Sequence, residues 1–251
     1  MFALRRAWSY PRLFAHRCGG ALAPENTLAG LRVAARLGVS GVEFDVMLSA
    51  DGTPVLIHDE TWERTTDGAG RVADTYDDHL ARLDAGARFG TAFAGECVPT
   101  LEMAARLCRE LELAVNVEIK PAAGHDVLTG RIVAAASARL WSGAEVPPLL
   151  SSFSEPALRA AREAAPCLPR GLLFGAIPDD WRERMARLDC LSMHCDSGAN
   201  SLCQLGAIAA EGVPIVCYTV NDQDEARRLL AAGVVAVITD RIDAVTVSPG
   251  R

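Results

Sequence analysis

Two histidines, three carboxylates, an arginine and a lysine stand at the ends of short apolar runs in this chain. His16 and Arg17 follow Leu13-Phe14-Ala15, Glu43 and Asp45 flank Phe44, His58 precedes Asp59, and Glu118 and Lys120 flank Ile119. Such a set suits metal-assisted chemistry on a phosphate ester. Three carboxylates close together repel one another unless protons or a cation neutralise them. A hard divalent cation with oxygen ligands does so. Two imidazoles that titrate near neutrality can take and give a proton. Arg17 can fork two phosphate oxygens, and Lys120 offers a second positive donor. Plainer roles compete: a hydrogen-bonded core position for each histidine, a surface ion pair for Arg17, and neutralisation of Glu118 by Lys120. Asp59 either orients His58 or caps the next turn. Glu25 and Asn26 can line the pocket, although helix capping accounts for Asn26.

These groups need elements that aim them. Strand-like runs occupy Leu13–His16, Val42–Val46, Val55–His58, Val115–Ile119, Leu149–Phe153, Gly171–Phe174, Cys190–His194, Ile215–Val220 and Val235–Thr239. Helical patterns separate most of them, at Thr27–Leu37, Leu101–Leu111, Thr129–Leu140, Glu155–Ala164, Asp180–Arg187, Leu202–Ala210 and Asp222–Ala231. Alternating strand and helix predicts a parallel sheet. Side chains alternate across a strand, so Val42, Phe44 and Val46 share one face and Glu43 and Asp45 the other. Val115, Val117 and Ile119 likewise oppose Asn116, Glu118 and Lys120. The carboxylates then point into a barrel near its C-terminal end, where barrel enzymes hold their sites. Nine runs is one too many for an eightfold barrel. Ala50-Asp51-Gly52-Thr53-Pro54 resolves this as a hairpin between the second and third runs. The expectation is a (β/α)8 barrel with one antiparallel member. A doubly wound open sheet would carry GxGxxG after its first strand, and that pattern is absent.

Composition agrees with one barrel. The chain has 251 residues, half of them hydrophobic, and a single α/β barrel takes roughly 250. We expect one domain over residues 1–251 with an inserted lobe over about 60–99, where Thr65-Thr66-Asp67-Gly68-Ala69-Gly70 breaks the alternation. The net charge of -7, with no Lys/Arg-rich run, argues against nucleic acid as a partner. Neither a signal-peptide core before Pro11 nor about 18 uninterrupted apolar residues occurs, so a cytoplasmic protein without stable membrane association is expected. The eight cysteines show no zinc spacing, and most read as small core residues of a reduced protein. Ser151-Ser152-Phe153 and Tyr218-Thr219-Val220-Asn221 end strands and can shape a substrate pocket, with Tyr218 as an apolar wall. His79 and His125 read as exposed, and His194 ends a strand and can approach the site. No GxSxG motif or Cys-His catalytic setting is present.

His16-Arg17-Cys18-Gly19-Gly20, Pro24-Glu25-Asn26-Thr27, Glu43-Phe44-Asp45, Asp51-Gly52, His58-Asp59, Arg64-Thr65-Thr66, Val98-Pro99-Thr100-Leu101, Glu118-Ile119-Lys120 and Tyr218-Thr219-Val220-Asn221 follow in this order. From about Tyr10 to Asp243 the chain resembles the glycerophosphodiester phosphodiesterases, most of all the cytosolic bacterial branch linked to glycerol-phosphate uptake. The resemblance implies a TIM barrel of the phospholipase C-like type with a small inserted lobe. It implies His16 and His58 as general acid and base, and Glu43, Asp45 and Glu118 as ligands of Mg2+ or Ca2+. It implies Arg17 and Lys120 as phosphate-binding residues. Two departures stand out. Cys18 replaces the family's usual glycine, and strains the backbone if positive φ is needed there unless Gly19 and Gly20 absorb the turn. Tyr218 stands where tryptophan is frequent.

The expected reaction is hydrolysis of a small-molecule glycerophosphodiester to sn-glycerol 3-phosphate and an alcohol. Attack by the glycerol 2-hydroxyl through a cyclic phosphate and direct attack by water both fit the sequence. A lysophospholipase D acting on lipid is the rival enzyme, and a non-catalytic glycerophosphodiester-binding barrel the rival outside enzymes.

Overall fold

The computed structural model describes residues 8–247. Its strands are β1 (Leu13–Ala15), β2 (Gly41–Leu48), β3 (Pro54–Leu56), β4 (Ala114–Ile119), β5 (Leu149–Ser152), β6 (Arg170–Phe174), β7 (Ser192–Asp196), β8 (Ile215–Tyr218) and β9 (Ala236–Thr239). Its helices are α1 (Leu28–Arg36), α2 (Asp77–Leu80), α3 (Leu101–Glu110), α4 (Asp126–Leu140), α5 (Glu155–Ala164), α6 (Trp181–Leu188), α7 (Leu202–Ala210) and α8 (Gln223–Ala231). β1 pairs in parallel with both β2 and β9, and this closes a ring of eight parallel strands. β3 stands apart from the ring. It lies antiparallel on the upper end of β2, from Val46 opposite Leu56 to Leu48 opposite Pro54, as the Asp51-Gly52 turn predicts.

The ring is buried on both faces, which is why its strands are so apolar. Outside it, Val42, Phe44, Val115 and Val117 pack against α1, α3 and α4. Leu172, Met193, Cys195, Ile215 and Cys217 do the same toward the later helices. Inside, Tyr10, Phe14, Leu149, Val216, Ala236 and Ile238 plug the lower end. The polar residues above this plug form the chemical layer.

Helix starts follow local chemistry. Thr27 caps α1 by accepting from the Gly30 amide, while Thr100, Ser154, Ser201 and Asp222 cap α3, α5, α7 and α8 in the same way. Such caps satisfy amides that the first helical turn leaves without a partner. Several boundaries differ from the sequence reading. β1 ends at Ala15 and β3 at Leu56, so His16 and His58 lie on loops just past strand ends. α4 begins at Asp126 instead of Thr129, because the Pro121–Gly124 stretch ends before it. Between β3 and α3 the chain makes an excursion with α2 and a small core of Trp62, Val72, Leu80, Leu83 and Ala85, which packs on Met47 and Val55.

Four cysteines, Cys18, Cys108, Cys195 and Cys217, are buried free thiols. Cys167 and Cys203 are exposed, which narrows the expectation that most are core residues.

Candidate active site

Pairing register builds the site. Glu43 lies opposite Asn116, and Asp45 opposite Glu118, so one face of β2 and β4 carries three carboxylates into the barrel. Ligand oxygens of Glu43, Asp45 and Glu118 all lie within 4.8 Å of one another. Glu43 and Asp45 are 3% and 2% exposed, so water screens their repulsion poorly. Burial first, then the charges of Asp45 and Glu118, pushes the Glu43 carboxyl well above its ordinary range. Burial and Asp45 raise Glu118 to about 7 against the pull of Lys120. Asp45 is the exception: Lys120, His58 and Arg17 outweigh its burial and hold it below the usual value. Glu43 Oε1 is a buried oxygen without a hydrogen-bond partner. An all-oxygen, closely spaced and under-neutralised donor set fits a hard divalent cation.

The backbone of Asp45 is fixed by Asn26. The Asn26 amide donates to Asp45 Oδ2 at 3.0 Å, and Asp45 N donates to Asn26 Oδ1 at 3.1 Å. Capping is left to Thr27, so Asn26 has a positioning role that the sequence reading did not assign. Lys120 Nζ sits 3.3 Å from Asp45 and 3.6 Å from Glu118. In this structure it offsets part of the charge of Asp45 and Glu118.

The loop after β1 delivers His16 and Arg17. Arg17 N donates to Glu43 Oε2 at 3.0 Å, its Nε lies 3.7 Å from Asp45, and its Nη1 donates to Glu25 at 3.0 Å. Arg17 and Cys18 have φ of 49° and 77°, while Gly19 has φ of -119°. The turn is thus not absorbed by Gly19. A non-glycine residue in this region costs roughly 1–2 kcal/mol. Cys18 N bonds to the Glu43 carbonyl at 2.8 Å, and Asn26 N bonds to the Arg17 carbonyl at 2.9 Å. These bonds hold the strained turn against β2. Cys18 itself is fully buried, and burial raises its thiol pKa so that it stays neutral.

Both histidines are anchored through Nδ1. His16 Nδ1 is 2.7 Å from Asp240 Oδ1, and His58 Nδ1 is 2.7 Å from Asp59 Oδ1. A carboxylate only accepts, so each Nδ1 carries the proton and each Nε2 is left for chemistry. His16 Nε2 lies 4.0 Å from Glu43 Oε2. Burial, only partly offset by Asp45 and Asp59, lowers the His58 pKa and favours its neutral form. Asp240 was not foreseen from sequence, although it lies just past the end of the last strand. Asn221 holds it from two sides, with Nδ2 on Asp240 Oδ2 at 3.1 Å and Oδ1 accepting from Asp240 N at 2.8 Å. Asp59 is held by Arg64, whose hydrogen bonds bring its pKa down to about 2. Arg64 also grips Glu25 with two bonds of 2.7 Å. A continuous chain thus runs from Arg17 through Glu25, Arg64 and Asp59 to His58.

His16, Arg17, Glu43, Asp45, His58, Glu118, Lys120 and Tyr218 all line one chamber of about 220 Å³. The Tyr218 hydroxyl is committed to the Phe174 carbonyl at 2.8 Å, so its contribution is the ring, edge-on to Phe153 at 6.2 Å. His79 and His125 are exposed and take no part, whereas His194 lines the chamber. Ser151 and Ser152 are wholly buried and do not line it. A second, outer cavity of about 570 Å³ shares His16 and Arg17 and is bounded by Glu25, Arg64 and Phe89. No helix among the described residues is long and apolar enough to cross a membrane.

Anchored imidazoles and a buried carboxylate triad thus stand together at the C-terminal mouth of an eightfold barrel. The sequence profile of the glycerophosphoryl diester phosphodiesterase family matches residues 16–244, and the chain belongs to that family. It is 36% identical to a glycerophosphodiester phosphodiesterase of Caldanaerobacter subterraneus, over 91% of this chain and 93% of that one. Among solved structures it is similar to a phosphodiesterase of Oleispira antarctica, in complex with the product sn-glycerol-3-phosphate. That likeness has 38% identity, a TM-score of 0.86 and coverage of 92% and 93% of the two chains. A glycerophosphodiester phosphodiesterase of Agrobacterium tumefaciens is 28% identical, with a TM-score of 0.75 over 92% of this chain and 97% of that one.

Proposed function

We propose that the protein hydrolyses glycerophosphodiesters to sn-glycerol 3-phosphate and an alcohol, with His16 and His58 as the acid and base and Glu43, Asp45 and Glu118 as cation ligands. The observation that carries this reading is the shared chamber, in which two Nδ1-anchored imidazoles flank a triad of carboxylates short of positive charge. A divalent cation, Mg2+ or Ca2+, would supply Lewis-acid polarisation of the phosphate oxygens when bound.

The remaining chemistry belongs to the chain's own residues. Arg17 presents a guanidinium beside the triad and stabilises charge that builds on the phosphate. Glu25 fixes its direction without removing its charge. Asp240 and Asp59 hold the two rings in the tautomer that leaves each Nε2 able to take a proton, and they stabilise the imidazolium once it has one. One imidazole removes the proton of the attacking water or glycerol 2-hydroxyl, and the other protonates the leaving alkoxide; on the second route a water then opens the cyclic phosphate to glycerol 3-phosphate. Lys120 balances the triad's charge, and the Tyr218 ring gives the glyceryl group an apolar wall. We read residues 1–251 as one catalytic domain, with the excursion over about 60–99 supplying the outer wall through Arg64. A cytoplasmic location agrees with the free thiols.

The test is 31P NMR of the purified protein with glycerophosphocholine and Mg2+ or Ca2+, then with EDTA, then with His16→Ala. Cation-dependent appearance of glycerol 3-phosphate, lost in the variant, is the expected result. Release of phosphocholine would mean that the other ester bond is cut and the proposed product is wrong.

A further inference from the structure

Arg64 takes no part in the chemistry proposed above, yet it joins the two halves of the site. Its Nη1 and Nη2 donate to Glu25 Oε2 and Oε1, both at 2.7 Å. Its Nε and Nη2 donate to Asp59 Oδ2 and Oδ1 at 2.5 and 3.1 Å. One guanidinium thus forks two carboxylates at once, a geometry for which lysine has no equivalent. Beyond Glu25, Arg17 Nη1 donates to both carboxylate oxygens, at 3.0 and 3.2 Å. Beyond Asp59 stands the His58 ring, bonded through Nδ1 at 2.7 Å. Glu25 and Arg64 are 39 residues apart in sequence, one on the loop before α1 and the other on the excursion.

Both ends of this bridge rest on fixed backbone. Asn26 N donates to the Arg17 carbonyl at 2.9 Å, which holds the residue next to Glu25 against the loop after β1. The turn that carries Arg64 is wound on the fully buried Trp62, whose carbonyl accepts from Thr65 N and Thr66 N at 3.3 and 3.0 Å. Trp62 Nε1 in turn donates to Thr75 Oγ1 at 2.9 Å. The Arg64 side chain itself is 47% exposed. Exposed ion pairs as a rule stabilise a fold little, so stability alone does not account for a fork on two carboxylates. Its effect falls on their far sides. Against burial, Arg64 and then Arg17 hold the Glu25 carboxyl below its ordinary range. Glu25 therefore stays ionised and shares its charge between two guanidiniums instead of drawing on Arg17 alone. Arg17 and Arg64 carry two positive charges, and Glu25 and Asp59 two negative ones. Without Arg64 the group gains a net negative charge beside the proposed phosphate site, and Asp59 is free to turn away from His58.

We propose that Arg64 is a positioning residue that ties Arg17 to His58, setting the direction of the guanidinium through Glu25 and of the imidazole through Asp59. The inference rests on the hydrolysis proposed above and adds to it a residue that acts through two others.

The experiment places Arg64→Met in the full-length protein with Mg2+ or Ca2+ at pH 8, where free imidazole is neutral. 15N NMR of the histidine rings reads their tautomers, and calorimetric titration with glycerol 3-phosphate reads the grip on phosphate. The wild type should hold both His16 and His58 with the proton on Nδ1. In the variant the His58 ring should become a mixture of tautomers, while His16, anchored by Asp240, should not change. Product affinity should fall at least about threefold, and kcat for glycerophosphocholine about 10–100-fold. If the variant fails to fold by circular dichroism, Arg64→Lys replaces it. Lysine keeps the charge but cannot fork two carboxylates, so the tautomer mixture is expected with at least about a twofold loss of affinity. An unchanged His58 ring, or a His16 ring that changes as much as His58, overturns the positioning role. So does an unchanged product affinity, which would leave Arg64 a support of Asp59 alone. Absence of turnover in the wild type, with the ring and affinity changes as expected, defeats the hydrolase reading and leaves the tie between Arg17 and His58 standing.

Discussion

At the residue scale, Glu43 concentrates the cost of the site. It is buried beside two other carboxylates, with one oxygen unpaired, and the Arg17 amide and guanidinium pull its pKa only partly back down. Glu43→Gln keeps the shape and removes the charge that must otherwise be neutralised. The cation-free variant should melt at a higher temperature than the wild type at pH 8, and bind Mg2+ or Ca2+ at least about tenfold more weakly. Differential scanning fluorimetry and calorimetric titration check the two halves, and a lower melting temperature would contradict the account of Glu43. The histidines give a second prediction. His16→Ala should lower kcat about 10²–10⁴-fold. Asp240→Asn should cause a loss of similar size without touching the substrate, because an amide can donate to Nδ1 and turn the His16 tautomer round. Steady-state kinetics, with product binding measured alongside, separates this from a loss of affinity.

At the scale of elements, the helices are held as closely as the strands. α4 and α5 meet at Gly130, where a Cβ would come 2.2 Å from the Ala157 carbonyl oxygen. A backbone oxygen cannot swing aside, so Gly130→Ala should force the helices apart. We expect a loss of about 1–3 kcal/mol by urea denaturation, with the kinetic constants little changed. The elements were largely legible in the sequence because their signals are local. Alternation placed Glu43, Asp45 and Glu118 on one inward face, and Asp51-Gly52 announced the one antiparallel strand. What was not legible depends on distant pairings. Asn26 looked like a cap, and only its meeting with Asp45, 19 residues on, gives it another role. Asp240 is 224 residues from His16, and no spacing rule links them. Only the closure of the ring between β9 and β1 brings them together. His194 reads in sequence as the end of a strand, whereas it is the central residue of β7.

At the scale of the whole molecule, the proposed cation site should link stability to cation binding through pH. Glu43 and Glu118 have folded pKa values raised above 4.5, Glu118 to about 7. Such acids hold more protons folded than unfolded near neutrality. Their contribution to stability is fully present below about pH 4.5 and is lost as pH rises through about 7. Protein stripped with EDTA should therefore lose melting temperature from this site between pH 5 and pH 8. Added Mg2+ or Ca2+ should restore it, most strongly at the upper end. Cation binding at pH 6 should also release protons, measurable by calorimetry in buffers of different ionisation enthalpy. A melting temperature that rises with pH in EDTA, with no proton release, would contradict this linkage. The antiparallel β3 has a consequence of another kind. It lies outside the eight-strand ring, and the segment after it carries His58, Asp59 and Arg64. Half of the proposed proton-handling apparatus is thus mounted on an appendage, while His16 and the acidic triad belong to the chassis. Loop lengths and surface residues beyond β3 can drift over generations, or be exchanged by an engineer, without re-registering a single strand of the ring. The barrel can in this way acquire new clients while its anion-handling interior stays the same.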